Sequence, residues 1–253
     1  MTDIVILVVR SLRNSLRTPA AIIPNIAISV FFLFVFNAGL SSVANLPGFK
    51  GSYLAFVLPV SIVSASVGGA GSSGQALVRD IESGYFTKLL LTPASRLALV
   101  WGPMIAGAAI LVGQVVIILA LGLALGLDAA AGPGGLFLVL VYAFFWGMAF
   151  AGYAVFVALR TKNGAAAEAA TFAFFPLIFL STTFVPTEYI TATWLEWVAT
   201  VNPTTYIYDA MRSLLIDGWR TQPLLIGLGV VLAFATLTGA LALRQARRAT
   251  QLG

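Results

Sequence analysis

The sequence has no cysteine, no histidine and little charge: 14 Lys and Arg plus 9 Asp and Glu among 253 residues, or 9 %. The absence of cysteine excludes disulfides, thiolate metal sites and cysteine nucleophiles. The absence of histidine removes the commonest metal ligand and the general base that titrates near neutral pH. The scarcity of charge excludes a whole class, because a soluble domain carries roughly 25 % charged and 45–50 % apolar residues. Here 60 % are apolar. Such a chain cannot cover a globule with polar surface, so it is read as an integral membrane protein.

Charge-free stretches run from Thr18 to Phe49, Gly51 to Val78, Leu97 to Leu127, Ala129 to Leu159, Ala169 to Thr187 and Thr221 to Leu243. Their apolar residues are continuous and do not alternate as in a barrel strand, and each stretch reaches the roughly 20 residues that carry a helix across the hydrocarbon core. The expected fold is all-α with six transmembrane helices, near residues 22–40, 53–78, 98–126, 135–159, 169–186 and 222–243.

With the N-terminus placed inside and the loops alternating, Arg10, Arg13, Arg17, Arg79, Lys88, Arg96, Arg160, Lys162, Arg244, Arg247 and Arg248 share the inner side. Only Lys50, Arg212 and Arg220 fall outside. Acidic residues show no such bias, as expected of a rule that reads Lys and Arg. Both termini are therefore expected in the cytoplasm. The net charge of +5 is accounted for by topology, and no nucleic-acid partner is expected.

The first residues are not a secretory signal, since the apolar run Ile4 to Val9 is short and precedes the arginines. On a helical wheel Arg10, Arg13 and Arg17 fall within an arc of about 60°, opposite Ile4, Val5, Val8, Val9, Leu12 and Leu16. Residues 1–19 are read as an interfacial helix on the cytoplasmic leaflet, the plainer alternative being a positive-inside anchor. Pro19 and Pro24 mark the turn into the first span.

Small residues recur at helix-packing spacing: Gly122 with Gly126, Gly147 with Ala151, and the run Gly68 to Gly74. Part of that run matches G-x-G-x-x-G, but no strand precedes it and no acidic residue follows at the required distance. Gln75 and Ala76 stand where a Walker A loop needs Lys and a hydroxyl. The chain is read as having no ATPase of its own, and packing is the preferred explanation. No Asp, Glu, Lys, Arg or His lies in any of the six spans, so the usual residues of an internal proton relay are missing. A sodium site made of carbonyls and hydroxyls stays open. Energy for uphill transport is expected from a cytoplasmic partner.

The inner loop of residues 79–96 mixes both charge signs with Phe86, Leu89 and Leu90, and reads as a short amphipathic element ending before Pro93. Within it Glu82, Gly84, Leu89, Leu90, Thr92, Pro93, Ser95 and Arg96 carry a resemblance to the ABC-2 type permeases, membrane subunits of bacterial ABC exporters that include drug-resistance permeases of the daunorubicin type. Tyr85 and Thr87 depart from the pattern, standing where a Thr and an acidic residue are usual. A second match lies in Phe184-Val185-Pro186, Trp194-Leu195-Glu196-Trp197, Asn202-Pro203 and Asp209 to Arg212, with Thr193 where a proline often precedes the tryptophan. The aromatics Tyr189, Trp194, Trp197, Tyr206 and Tyr208 independently suit a membrane interface.

The resemblance implies a single transmembrane domain over 1–253, with residues 187–221 forming an extracellular re-entrant helical hairpin marked by Pro186, Trp194, Trp197, Asn202 and Pro203. It implies a half-transporter in the bacterial plasma membrane, paired with a second copy as a homodimer and with two cytoplasmic ATPase subunits that bind ATP and magnesium; this chain would hold no cofactor or metal. Glu82, Gly84, Phe86, Lys88, Leu89 and Arg96 would contact the ATPase, with Arg160 and Lys162 as a second contact. Asn25, Asn37, Ser61, Ser64, Thr182 and Thr183 are candidates to line a cavity. A cavity without charge favours a hydrophobic or amphipathic cargo, such as a drug, lipid or lipid-linked molecule. Two other classes stay open: an ATP-independent carrier, sodium-coupled or passive, and a membrane scaffold that transports nothing.

Overall fold

A computed structural model describes residues 2–17, 19–47, 49–90, 96–184, 186 and 190–249. Thr92, Pro93, Ser95, Val185 and Tyr189, and the side chains of Phe86, Leu90 and Arg96, lie outside the described residues. Among those described, the regular structure is helical throughout.

Helix α1 (Thr2–Leu16) is followed by α2 (Pro19–Leu40), which tightens into a 3-10 turn at Ser41–Asn45. Then come α3 (Tyr53–Glu82), the short α4 (Tyr85–Leu90), α5 (Arg96–Ala124), α6 (Gly132–Thr161), α7 (Gly164–Phe172) and α8 (Phe175–Phe179). The chain ends with α9 (Thr193–Val201), α10 (Pro203–Arg212), a π-helical turn at Ser213–Asp217, and α11 (Thr221–Ala249). Among the described residues, five stretches are long and apolar enough to cross a membrane: Ile22–Asn45, Tyr53–Glu82, Leu97–Ala124, Gly132–Thr161 and Thr221–Arg248.

The segment expected to form one continuous span at 169–186 does not do so. It starts earlier, at Gly164, and ends at Phe179, broken between Phe172 and Phe175. Pro176, in the first turn of α8, has no N–H to give the carbonyl of Phe172, and its ring crowds that position. Beyond Phe179 the hydroxyls of Ser181 and Thr183 both donate to the Ile178 carbonyl, which turns the backbone away from helix. The helical stretch Gly164–Phe179 rises only about 24 Å, against about 30 Å of hydrocarbon.

Helix α6 occupies the middle, packed against α3, α5, α7 and α11. Trp146 and Tyr142 of α6 and nearly every residue of α3 from Tyr53 to Val67 are buried. By contrast α2 and α11 expose Ile23, Ile28, Phe31, Phe34, Leu225 and Leu237. The four phenylalanines of α2 divide as their spacing requires. Phe31 and Phe34 are exposed, while Phe32 and Phe36 join a ring cluster with Phe175, Phe179 and Phe184.

Close helix approach explains most of the small residues. A Cβ on Gly74 would lie 2.8 Å from the Ala167 Cβ and 3.0 Å from the Ala154 carbonyl oxygen, so α3, α6 and α7 meet there only because this side chain is absent. Gly68 likewise faces the side chain of Asn25, and Gly147 the backbone of Ala108. Gly126 is different: it has φ +93° and no neighbour within 4 Å, and it ends α5 as a turn residue instead of packing.

Candidate functional site

Two regions, at opposite ends of the bundle, concentrate the polar chemistry. At the end shared by α1, α4 and the last turns of α11, Leu7, Leu77, Val78, Leu99, Val155, Ala167 and Ala246 belong to one apolar cluster drawn from six helices. Leu89 of α4 and Ile81 of α3 pack against it, while Lys88, Glu82 and Arg79 are exposed. Gly84 makes this short helix possible. With φ +70° it occupies the left-handed position after α3, its N–H donates to the Ile81 carbonyl, and the chain reverses into α4.

Helix α1 is bound to this corner. Leu7 is buried against Gly102 of α5, where an added Cβ would come within 2.9 Å of the Leu7 Cβ. Arg10 donates two hydrogen bonds to Asp80, at 2.8 and 2.6 Å, and its guanidinium lies 3.7 Å from the centre of the Tyr85 ring. The forked contact with Asp80 holds the Arg10 pKa above its ordinary value despite partial burial. One arginine thus joins α1 to the end of α3 and the start of α4. Val5, Val9 and Leu16 on the rest of α1 stay exposed, leaving an apolar side beside the arginines.

Nearby, Gln75 of α3 donates to the Glu168 carboxylate of α7. Asn163 caps α7 by accepting from the Ala166 N–H at 3.1 Å. Arg160 and Lys162 are exposed on the same connection, and Lys162 closes α6 in the left-handed conformation with φ 51°. The structure therefore gathers Glu82, Gly84, Lys88 and Leu89 around α4, and sets Arg160 and Lys162 on the next connection, α6 to α7.

The opposite end is built on Asn202. Its side chain accepts from the Thr204 N–H at 3.0 Å and so starts α10, with Pro203 in the first helical position. The same amide donates to the carbonyls of Leu177 and Leu180, which α8 leaves unpaired at its end. Asn202 is 3 % exposed, so these bonds are shielded from water. Trp194 and Trp197 of α9 are exposed at 64 % and 68 %, as interface aromatics should be. Pro186 lies on the wall of a cavity of about 860 Å³.

On that wall stands Arg212, only 7 % exposed. Its Nε donates to the Phe56 carbonyl at 2.9 Å, and its terminal nitrogens donate to Thr182 Oγ1 at 3.0 Å and the Thr183 carbonyl at 3.5 Å. The guanidinium lies 3.5 Å from the centre of the Phe56 ring and 5.3 Å from that of Tyr208.

The six residues expected to line one cavity are not brought together. Thr182 alone reaches the large cavity. Ser64 donates to the Val60 carbonyl of its own helix, Thr183 bonds locally, and Ser61 is buried inside α3. Asn25 lies beside Gly68, and Asn37 is half-buried on α2. Hydroxyls in spans served the backbone, which is the alternative use of Ser and Thr in lipid. Sequence reasoning missed Arg212, counted only as a loop charge, and the buried Gln114 of α5, whose amide has no hydrogen-bond partner among the described residues. Arg212 had a signal: Tyr208, Met211 and Leu215 place it on an apolar helical face.

The sequence matches the family model described as ABC-2 type transporter over residues 2–216. This chain belongs to the ABC-2 type transporter family. It is also 25 % identical over 219 residues to a protein of Cyanophora paradoxa named "Putative transport permease ycf38", an alignment covering 84 % of this chain and 73 % of that one. An ABC-2 protein of this kind is a multi-pass membrane permease component and not itself an ATPase. The corner around α4 and the wall around Arg212 are two ends of one such permease.

Proposed function

We propose that this ABC-2 permease is half of an ATP-driven exporter that moves a hydrophobic or amphipathic compound outward. The observation that carries the reading is the corner around α4. Docking needs an exposed charged surface for register and a rigid connection behind it for force, and α4 has both. Lys88 and Glu82 are exposed, Leu89 packs against a cluster shared by six helices, and Arg10 ties the corner to α1. Two ATPase subunits, holding ATP and magnesium, would close against this surface, with Phe86 and Arg96 as further contacts expected from the sequence and Arg160 and Lys162 as the second contact. Closure pushes α4, and α4 carries α1, α3 and α5 with it.

In this reading the α4 end and both termini are cytoplasmic in a bacterial plasma membrane, and α9 with α10 forms the outer hairpin. The second permease copy, giving a homodimer, covers part of the apolar surface that α2 and α11 expose, and lipid covers the rest.

The test is co-expression with the ATPase encoded beside the gene, followed by copurification and ATP-dependent movement of a fluorescent amphipathic dye in proteoliposomes. The paired substitution Glu82→Ala with Phe86→Ala should lower ATP-driven movement at least tenfold. Transport driven by an ion gradient without nucleotide would instead establish a carrier, and no recruitment of an ATPase would remove the proposal.

A further inference from the structure

We propose that the large cavity is a binding site for the anionic head group of an amphiphile, a phosphate or carboxylate ester carried on an apolar chain. The inference rests on the outward-export reading for its place at the outer mouth.

Three cations, Lys50 and, more than 160 residues later, Arg212 and Arg220, all line this one cavity. They are the three basic residues that sequence topology set apart from all the others. Lys50 comes from the connection before α3, Arg212 from the end of α10, and Arg220 from the connection just before α11. Among the described residues, no carboxylate oxygen lies within 4.0 Å of the Arg212 guanidinium, whose bonds all go to carbonyls and a hydroxyl. Asp209, one turn earlier on α10, attracts this cation through space without pairing with it, and neutral acceptors with a remote carboxylate offset the cost of burying it only in part. A ligand anion reaching the exposed edge of the fork would supply a direct partner.

Two carboxylates also line the cavity. Asp217 lies 3.6 Å from Arg220 and draws off part of its charge, and Asp209, exposed one turn before Arg212 on α10, attracts that guanidinium through space. One cation in excess remains, and the most deeply held of the three is the planar fork suited to phosphate or carboxylate oxygens. Phe49, Phe56, Ile216 and Pro223 supply apolar walls beside it. A fixed charge with apolar flanks suits an amphiphile better than a small free anion. The absence of charge from the spans pointed to a hydrophobic or amphipathic cargo and named no group that would recognise a charged head. The buried Arg212 relocates charge recognition to the mouth, where a head group would arrive while its chain stays in lipid.

The experiment is calorimetric titration of the purified chain, without nucleotide or ATPase, using hexyl phosphate, inorganic phosphate and hexyl glucoside. Hexyl phosphate should bind about tenfold or more tightly than either control, and more weakly as salt rises. Lys50→Gln combined with Arg220→Gln, both exposed, should weaken it about tenfold without changing the melting temperature. Arg212→Lys should weaken it further by removing the fork. Equal binding of hexyl glucoside would overturn the anion, equal binding of inorganic phosphate would overturn the amphiphile, and unchanged affinity in the Lys50 and Arg220 variant would overturn the site. None of these outcomes depends on whether ATP drives transport.

Discussion

The two ends of the bundle handle charge in opposite ways. At the α4 end the charges are at the surface and Arg10 meets Asp80 side to side, with both side chains still 28 % and 21 % exposed. At the other end Arg212 is withdrawn from water and held by neutral oxygens and aromatic rings. A partly solvated pair is weak, salt-sensitive and easily reformed, which suits a contact that must transmit motion. A buried cation is expensive to disturb and fixed in position, which suits recognition.

Breaking the buried end should have the largest effect. Arg212→Leu leaves the Phe56 and Thr183 carbonyls and the Thr182 hydroxyl without their donor, and should cost about 3 kcal/mol in thermal unfolding followed by tryptophan fluorescence. Asn202→Ala removes the start of α10 and both bonds to the end of α8, with an expected loss of about 2 kcal/mol by the same measurement. Neither loss should vary much between low and high salt.

The α4 end should give smaller and more conditional changes. Gly84→Ala puts a Cβ on a residue with φ +70° and should cost about 1 kcal/mol, while shifting α4 enough to weaken recovery of the ATPase in pull-down. Arg10→Ala and Asp80→Ala, combined in a double-mutant cycle, should show a coupling of about 1 kcal/mol or less that falls as salt rises. A salt-independent coupling of several kcal/mol would make the two ends alike and remove the contrast.

The sequence and the structure differ along the same line. Uncharged length located the five helices that, among the described residues, are long and apolar enough to span, because each must satisfy its own backbone within about 20 residues, a requirement visible in composition. Residues 169–186 have that composition, yet Pro176 and the hydroxyls of Ser181 and Thr183 redirect the backbone, so local chemistry overrode the apolar count. The α4 region was legible through its mixed charge and its leucines. Its connection to α1 was not, because a pair 70 residues apart leaves no mark in spacing. The proposed cavity lining failed for the opposite reason: Ser64 and Thr183 have two uses in a membrane, and only coordinates show that they bond to their own backbone. Arg212 was visible as a charge but not as a buried one, since its partners come from α3 and the segment after α8.

The central claim is that α1, α4 and the end of α3 move as one body when the ATPase closes. The natural absence of cysteine permits a direct measurement: spin labels on Arg13→Cys and Lys88→Cys, with their distance read by pulsed electron resonance in the assembled complex before and after trapping with ATP and vanadate. The distance distribution should stay unchanged on trapping in the otherwise native chain and should shift or broaden once Arg10→Ala breaks the contact. A distance that changes on trapping while Arg10 and Asp80 are both present would contradict the account.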